Sequence, residues 1–283
     1  MTLALAVPFP GGSILCADTR IDADESASAA EGNALISVTS GNRMFAITWA
    51  SRDSRAGRML ASEIATVACN AASRTDLVPG IKRVMGDWFR SYGVAHPPPL
   101  QFLIASNTPD ENTGRIIFCE PPSTVMDVYG PSVIGTGSRQ ITPWLGLVTP
   151  RFNTTFSVRS TVLRVTYLTH LARKVETHTG SGDAEMIVLS NRGSFTYIDR
   201  RELRAAEAVG DKMDALLLDT CRQVLCAEGD QSPQAIAEEF LRGYFDVMEQ
   251  NPQMLFPSLS YLERPSAAGP VPVPAPMPTG TTG

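Results

Sequence analysis

The second residue, Thr2, carries chemistry if Met1 is removed, and a small residue after Met1 predicts that removal. A chain beginning at Thr2 places a free α-amine and a β-hydroxyl on adjacent carbons, so nucleophile and base share one residue. An α-amine titrates near 7.7–8.0, close to working pH, which suits a general base. Joining the two groups covalently removes most of the cost of orienting them. Asp18 and Arg20 end the next apolar segment, where they could converge on the start of the chain or form an ordinary strand-end ion pair.

Three further segments bring hydroxyls or glycines. Gly135-Thr136-Gly137-Ser138 is either a hydroxyl-bearing site loop or a glycine turn before a helix. It is not a phosphate loop, because no lysine follows and the glycine spacing is wrong. His178-Thr179-Gly180-Ser181-Gly182 precedes an apolar run, and a lone histidine in a loop is commonly structural. Thr48-Trp49-Ala50-Ser51 closes another apolar run.

Composition excludes several alternatives. The chain has 283 residues, 43% of them hydrophobic, enough for one large domain or two small ones. No apolar run approaches the roughly 20 residues of a membrane span. The absence of a basic segment before the first apolar stretch argues against a secretory signal and for the cytoplasm. Net charge is −5, with lysine only at Lys82, Lys174 and Lys212, which argues against nucleic acid as a partner. Five scattered cysteines form no Cys-x-x-Cys pair, and the histidines lie far from them in sequence. No metal or cofactor is expected, and most of the cysteines read as buried thiols in a reducing compartment. The sequon at Asn153 is discounted without a secretion signal.

The elements that must position these residues follow from periodicity. Strands are expected at 2–8 and 13–18 around Pro8–Gly12, at 34–39 and 43–49, at 100–106, 114–119 and 125–128, and at 185–190 and 194–199. A helix is expected over 53–73, with Met59, Leu60, Ile64, Val67 and Ala68 on its buried face. Asp76 is expected to cap the next helix, which buries Ile81, Val84, Met85, Trp88 and Phe89. Short and long helices follow at 139–147 and 158–176, then amphipathic helices at 202–227 and 233–250. The Pro-rich stretch from Pro265 reads as a disordered tail. Strands, two helices, strands, two helices, strands is the order of two sheets covered by helices on their outer faces.

Thr2, the Ala17-Asp18-Thr19-Arg20 segment, the Gly-Thr-Gly-Ser segment and the Ser181-Gly182 pair resemble proteasome β-type subunits and the peptidase subunit of the bacterial ATP-dependent proteasome-like protease. The resemblance covers roughly residues 2–200. It implies an α+β fold, the four-layer αββα sandwich of N-terminal nucleophile hydrolases, here with extra C-terminal helices. The domains expected are 1–200 for the hydrolase, 201–252 for a helical extension and 265–283 for the tail.

The same resemblance implies roles. Thr2 is the nucleophile, with Asp18 and Arg20 supporting it. The Ala50 N–H forms the oxyanion hole, Thr136 bonds near the terminal amine, and Ser181 matches the serine of the family's Asp-x-x-Ser-Gly-Gly segment. His178 stands where the family has an aspartate, so it brings no fixed negative charge. Ala34 stands where the family has the lysine whose ammonium lies beside the nucleophile, and no lysine precedes Lys82 to replace it.

The function implied is a threonine peptidase subunit of a self-compartmentalising ring, acting on peptides or unfolded polypeptides. Its partners would be identical or related subunits and an ATPase unfoldase, with no nucleic acid and no membrane. The alternatives are a non-catalytic ring subunit of the same fold, suggested by Ala34 and His178, and a hydrolase of small amides.

Overall fold

The computed structural model describes residues 3–18, 35–41, 43–51, 53–71, 73–91, 99–107, 114–135, 137–149, 157–175, 184–191, 193–225, 232–247, 255–260 and 262. Strands β1 (Leu3–Phe9) and β2 (Gly12–Asp18) form the first hairpin, and β3 (Leu35–Ser40) and β4 (Arg43–Ser51) the second. Helices α1 (Ser54–Asn70) and α2 (Arg74–Ser91) follow. Next come β5 (Leu100–Asn107), β6 (Arg115–Glu120), β7 (Thr124–Val128) and β8 (Ser132–Gly135). Helix α3 (Ser138–Ile141) runs into a 3-10 turn over Thr142–Leu147 and then α4 (Val158–Val175). The chain continues through β9 (Ala184–Ser190), β10 (Ser194–Tyr197), α5 (Arg200–Leu225) and α6 (Pro233–Phe245).

The strands make two antiparallel sheets, in the orders β10-β9-β2-β1-β8 and β3-β4-β5-β6-β7. Strand alternation explains the layering. In β1, Leu3, Leu5 and Val7 enter a core with α4 and α5, while Ala4 and Ala6 enter the core shared with the second sheet. In β2, Ile14 and Cys16 face the helices, and Leu15 and Ala17 face the other sheet. On the outer face of the second sheet, α1 packs on β4 and β3, and α2 on β7. The result is the expected four-layer αββα sandwich, with α5 against α4 and α6 against α5.

The sheets approach most closely at Gly12 and Gly114. The Gly114 N–H donates to the Gly12 carbonyl at 3.1 Å, and a Cβ on Gly114 would lie 1.7 Å from Ser13 Oγ. Beside them Ser13 Oγ donates to Asn107 Oδ1 at 3.0 Å, and Asn107 Nδ2 donates to the Leu189 carbonyl at 2.7 Å. These buried polar groups satisfy one another, as an interior requires.

Several expectations need correction. Met59 and Phe89 are exposed, at 53% and 37%, because each flanks its helix stripe. Asp76 lies inside α2. Its carboxylate accepts from the Ser73 N–H and Oγ–H, so Ser73 begins the turn and Asp76 reaches back to hold it, the acidic half of a capping box. β8 was not anticipated. Helix α4 is buried nearly all round, from Val162 through Thr169, because α5 and α6 cover the side turned away from the sheet. Its Thr166 and Thr169 hydroxyls donate back to the Val162 and Val165 carbonyls. Its buried Arg164 bonds Ser160 and Tyr244, and the guanidinium lies 5.3 Å from the Tyr244 ring centre. The Pro-rich tail lies outside the described residues.

Candidate active site

Six strand ends gather at the edge of the sandwich opposite the Gly12–Gly114 contact. β1 starts there at Leu3, paired with Gly135 at the end of β8. β2 ends there at Asp18, paired with Ala184 at the start of β9. In the second sheet β4 ends at Ser51, and Ala50 pairs with Gln101 of β5. At this rim β8 packs against β4 and β5, and one side chain hydrogen-bonds across the sheets. Gln101 Oε1 accepts from the Gly135 N–H at 3.3 Å, and Gln101 Nε2 donates to Glu120 Oε1 at 3.3 Å. Gly135 has φ of +94°, a conformation that favours glycine.

Ala50 is 5% exposed. Trp49 packs toward α1, where a Cβ on Gly57 would lie 2.4 Å from its ring, so Ala50 on the alternate side faces the first sheet. The β3 ladder stops at the Leu35–Thr48 pair. Past it, the β3-side edge of β4 has no strand partner among the described residues, which leaves backbone groups at Trp49–Ser51 for other use. The turn after Ala50 is held firmly. Ser51 Oγ accepts from the Asp53 N–H and donates to the Asp53 carbonyl, and Asp53 caps α1 by accepting from the Ala56 N–H.

Asp18 is 3% exposed. By alternation it shares the α4-side face with Ile14 and Cys16, and its partner Ala184 also belongs to that core. The charges of Asp18 and of Arg173 on α4 both reach the Cys16 thiol. Burial dominates there and pushes the thiol up to about 12; burial does the same to Cys119. Neither cysteine is a nucleophile at neutral pH. Thr2, Arg20, Ala34, Thr136, His178 and Ser181 lie outside the described residues. Of the expected site residues, the structure therefore brings the strands carrying Asp18 and Ala50 to one rim, with the Asp18 side chain on the α4 side of its sheet and Ala50 between the sheets.

Sequence reasoning missed Gln101, Glu120, Ser51 and Asp53. Gln101 had a signal, as a lone amide in the apolar run Leu100-Gln101-Phe102-Leu103-Ile104. Asp53 had another, as a capping residue just before helical periodicity.

Beside the rim a cavity of about 220 Å³ is lined by Leu35, Glu185, Tyr197, Ile198 and Arg200, among others. Ser37 and the Tyr197 hydroxyl bond at 2.9 Å near its mouth. Burial pushes the Glu185 carboxyl above the usual carboxylate range, and the Arg200 guanidinium, 3.9 Å away, opposes that rise.

The one grouping with metal-ligand spacing among the described residues is His170, Asp211 and Asp214, between α4 and α5. It does not fit a metal. Lys174 Nζ already donates to Asp211 at 2.6 Å and to Asp214 at 2.5 Å, and the Asp214 carboxylate also accepts from Tyr167. This ion network ties two helices together. Its hydrogen bonds raise Lys174 and lower Asp211.

Solved structures share this arrangement. One is Anbu (ancestral β-subunit) from Yersinia bercovieri, with a TM-score of 0.63 at 12% identity, over 76% of this chain and 97% of that one. Another is an Anbu (Gly-1) mutant from Hyphomicrobium sp. strain MC1, with a TM-score of 0.62 at 14% identity, over 82% of this chain and 100% of that one. The fold is that of Anbu. At such identities the likeness shows the fold alone. No family model and no curated protein matches the chain.

These matches correct the resemblance to proteasome β-subunits and the bacterial proteasome-like protease. Anbu is proteasome-like and of the N-terminal nucleophile type, but a distinct family. The motifs behind that resemblance are short, so they mark the sandwich rather than one family built on it. Both matches also cover more of the chain than residues 1–200 account for. No helix among the described residues is long and apolar enough to cross a membrane.

Proposed function

We infer that this chain is a subunit of a self-compartmentalising, Anbu-like assembly that cleaves peptide amide bonds with Thr2 after Met1 removal. The observation that carries the reading is the convergence of six strand ends around Leu3. Thr2 is one peptide from Leu3, about 3.8 Å between Cα atoms, so it stays at that rim. There the Thr2 amine acts as base, the Ala50 N–H receives the oxyanion, and Asp18, Arg20, Thr136, His178 and Ser181 support the cluster. The substrate class is peptide or unfolded polypeptide, and an ATPase unfoldase is the partner that folded substrates would require. Residues 1–200 form the hydrolase unit. Residues 201–252 extend it, with exposed Leu218, Leu241 and Phe245 suited to a contact between subunits.

One observation favours a non-catalytic subunit instead. All three lysines stand exposed on helices, Lys82 on α2, Lys174 on α4 and Lys212 on α5. None belongs to the strand ends, so the ammonium expected at Ala34 must come from outside this chain or be dispensed with. Mass spectrometry of the purified chain with a β-lactone or epoxyketone decides between the readings. Adduct on Thr2, lost in Thr2→Ala, supports catalysis. Mature chains that keep Met1 rule out the terminal-amine mechanism.

A further inference from the structure

We propose that Gln101 is a positioning residue for amide cleavage, setting the distance between the nucleophile's strand and the strand that supplies the oxyanion donor. The proposal rests on the reading of Thr2 as nucleophile. Gln101 joins three features that no other described side chain brings together. Its backbone pairs with Ala50, the candidate oxyanion donor. Its Oε1 accepts from the N–H of Gly135, the glycine that opens the Gly135–Ser138 segment. Gly135 in turn pairs with Leu3, the residue after Thr2. One side chain therefore spans the gap between the sheets at the rim where the reaction would occur.

Glu120 fixes which way the amide points. An amide can turn by 180°, exchanging its oxygen and nitrogen, and only its partners decide between the two orientations. Here Nε2 meets the Glu120 carboxylate, so Oε1 must face Gly135. The turned amide would set donor against donor at Gly135 and acceptor against acceptor at Glu120. Glu120 lies directly across from Gln101 on β6, continuing the Phe102–Cys119 register, so its carboxylate is held in place by the ladder.

The consequence is geometric. Without this bridge the β8 end is held to β4 and β5 by apolar packing alone, which fixes position less sharply than a directed hydrogen bond, and a shift of about 1 Å between reacting groups costs on the order of a hundredfold in rate. The bridge contributes position and not affinity, so its loss lowers the rate constant of acylation and leaves ligand binding unchanged.

The test follows β-lactone labelling of Thr2 in the full-length protein, separating the inactivation rate constant from the binding constant. Gln101→Leu is expected to lower the rate constant about tenfold or more at an unchanged binding constant. Gln101→Glu keeps the acceptor for Gly135 but opposes Glu120, so it is also slow. The double variant Q101E/E120Q exchanges the two side chains, restores both hydrogen bonds and returns the rate to within about threefold of wild type. Wild-type labelling by Q101L, or a double variant no faster than Q101E, overturns the proposal while the Thr2 reading stands. Should Q101L fail to fold, the comparison of Q101E with Q101E/E120Q decides. A wild-type chain that begins at Thr2 yet takes no label overturns both readings.

Discussion

Asn107→Leu tests the far end of the sandwich. Asn107 is 1% exposed and Ser13 0%, and their hydrogen bond lies between the sheets beside the Leu189 carbonyl. Leucine has as many side-chain heavy atoms as asparagine, though bulkier ones, and offers neither bond, so the Ser13 hydroxyl and the Leu189 carbonyl each lose a buried partner. Such an orphaned group costs about 1–3 kcal/mol, and part of that is recovered because the asparagine amide itself no longer needs desolvating. The expected net loss is about 2–4 kcal/mol. For a chain of 283 residues this lowers Tm by about 4–10 °C. Ser13→Ala removes one of the orphans in advance, so S13A/N107L should lose less than the two single variants together, with a coupling of about 0.5–3 kcal/mol. Urea and thermal melts followed by circular dichroism, at matched protein concentration, measure all four corners of the cycle. A loss below about 0.5 kcal/mol for N107L, or strict additivity, would refute the inter-sheet staple.

The other predictions are shorter. Gly114→Ala forces a Cβ to 2.2 Å from the Gly12 carbonyl oxygen and should cost about 1–3 kcal/mol or more, whereas Gly130→Ala, with nothing within 4 Å, should be nearly neutral; equal melts for the two would sink the close-approach reading. Glu185 is raised above its unfolded value, so the folded state holds its proton longer, and stability falls as pH rises from the unfolded pKa through the folded one. Glu185→Gln should therefore gain in Tm at pH 8 and show no gain near pH 3.5, below the unfolded carboxylate pKa of about 4.3; a pH-independent difference would contradict this. In native protein a thiol reagent should modify exposed Cys221 well before buried Cys16 and Cys119, as peptide mapping would show, and early modification of Cys16 would refute its burial.

How far the sequence could be read depended on periodicity. β1, β2, β4 and β5 were legible because their apolar runs are bounded by turn residues. β8 was not, because Ser132-Val-Ile-Gly135 is four residues long with only Ile134 fully buried, and its strand character comes from pairing with β1. The buried stripes of α1 and α2 were read correctly at Leu60, Ile64, Ile81 and Met85, but a residue 100° away, such as Met59, is decided by what packs beside it. α4 looked like a one-sided helix because nothing local to it announces that α5 and α6 will cover its back. In the site, hydroxyls and glycines flagged the candidate segments, yet the stretches at 19–34 and 176–183 carry no period from which a position could be derived. Asp18 was legible as a strand end, while its α4-side face follows only from the observed pairing with Ala184.

The two amides of β5 are a controlled comparison within one strand. Gln101 and Asn107 lie six residues apart, so they share the face turned to the first sheet and stand about 20 Å apart along the strand. Each reaches across to that sheet, Gln101 to Gly135 of β8 and Asn107 to Leu189 of β9. Asn107 is fully enclosed, and its bonds offset a desolvation cost, so its loss is a loss of stability. Gln101 is half-buried at the rim, where water can take over part of its hydrogen bonding, so its loss is mainly one of position. N107L should therefore melt early yet label Thr2 within about twofold of the wild-type rate below its transition, since 20 Å exceeds the reach of a local shift. Q101L should melt near wild type and label slowly. If both variants move both readouts alike, the sandwich relaxes as one rigid unit, and no rim residue has a positioning role separable from the fold.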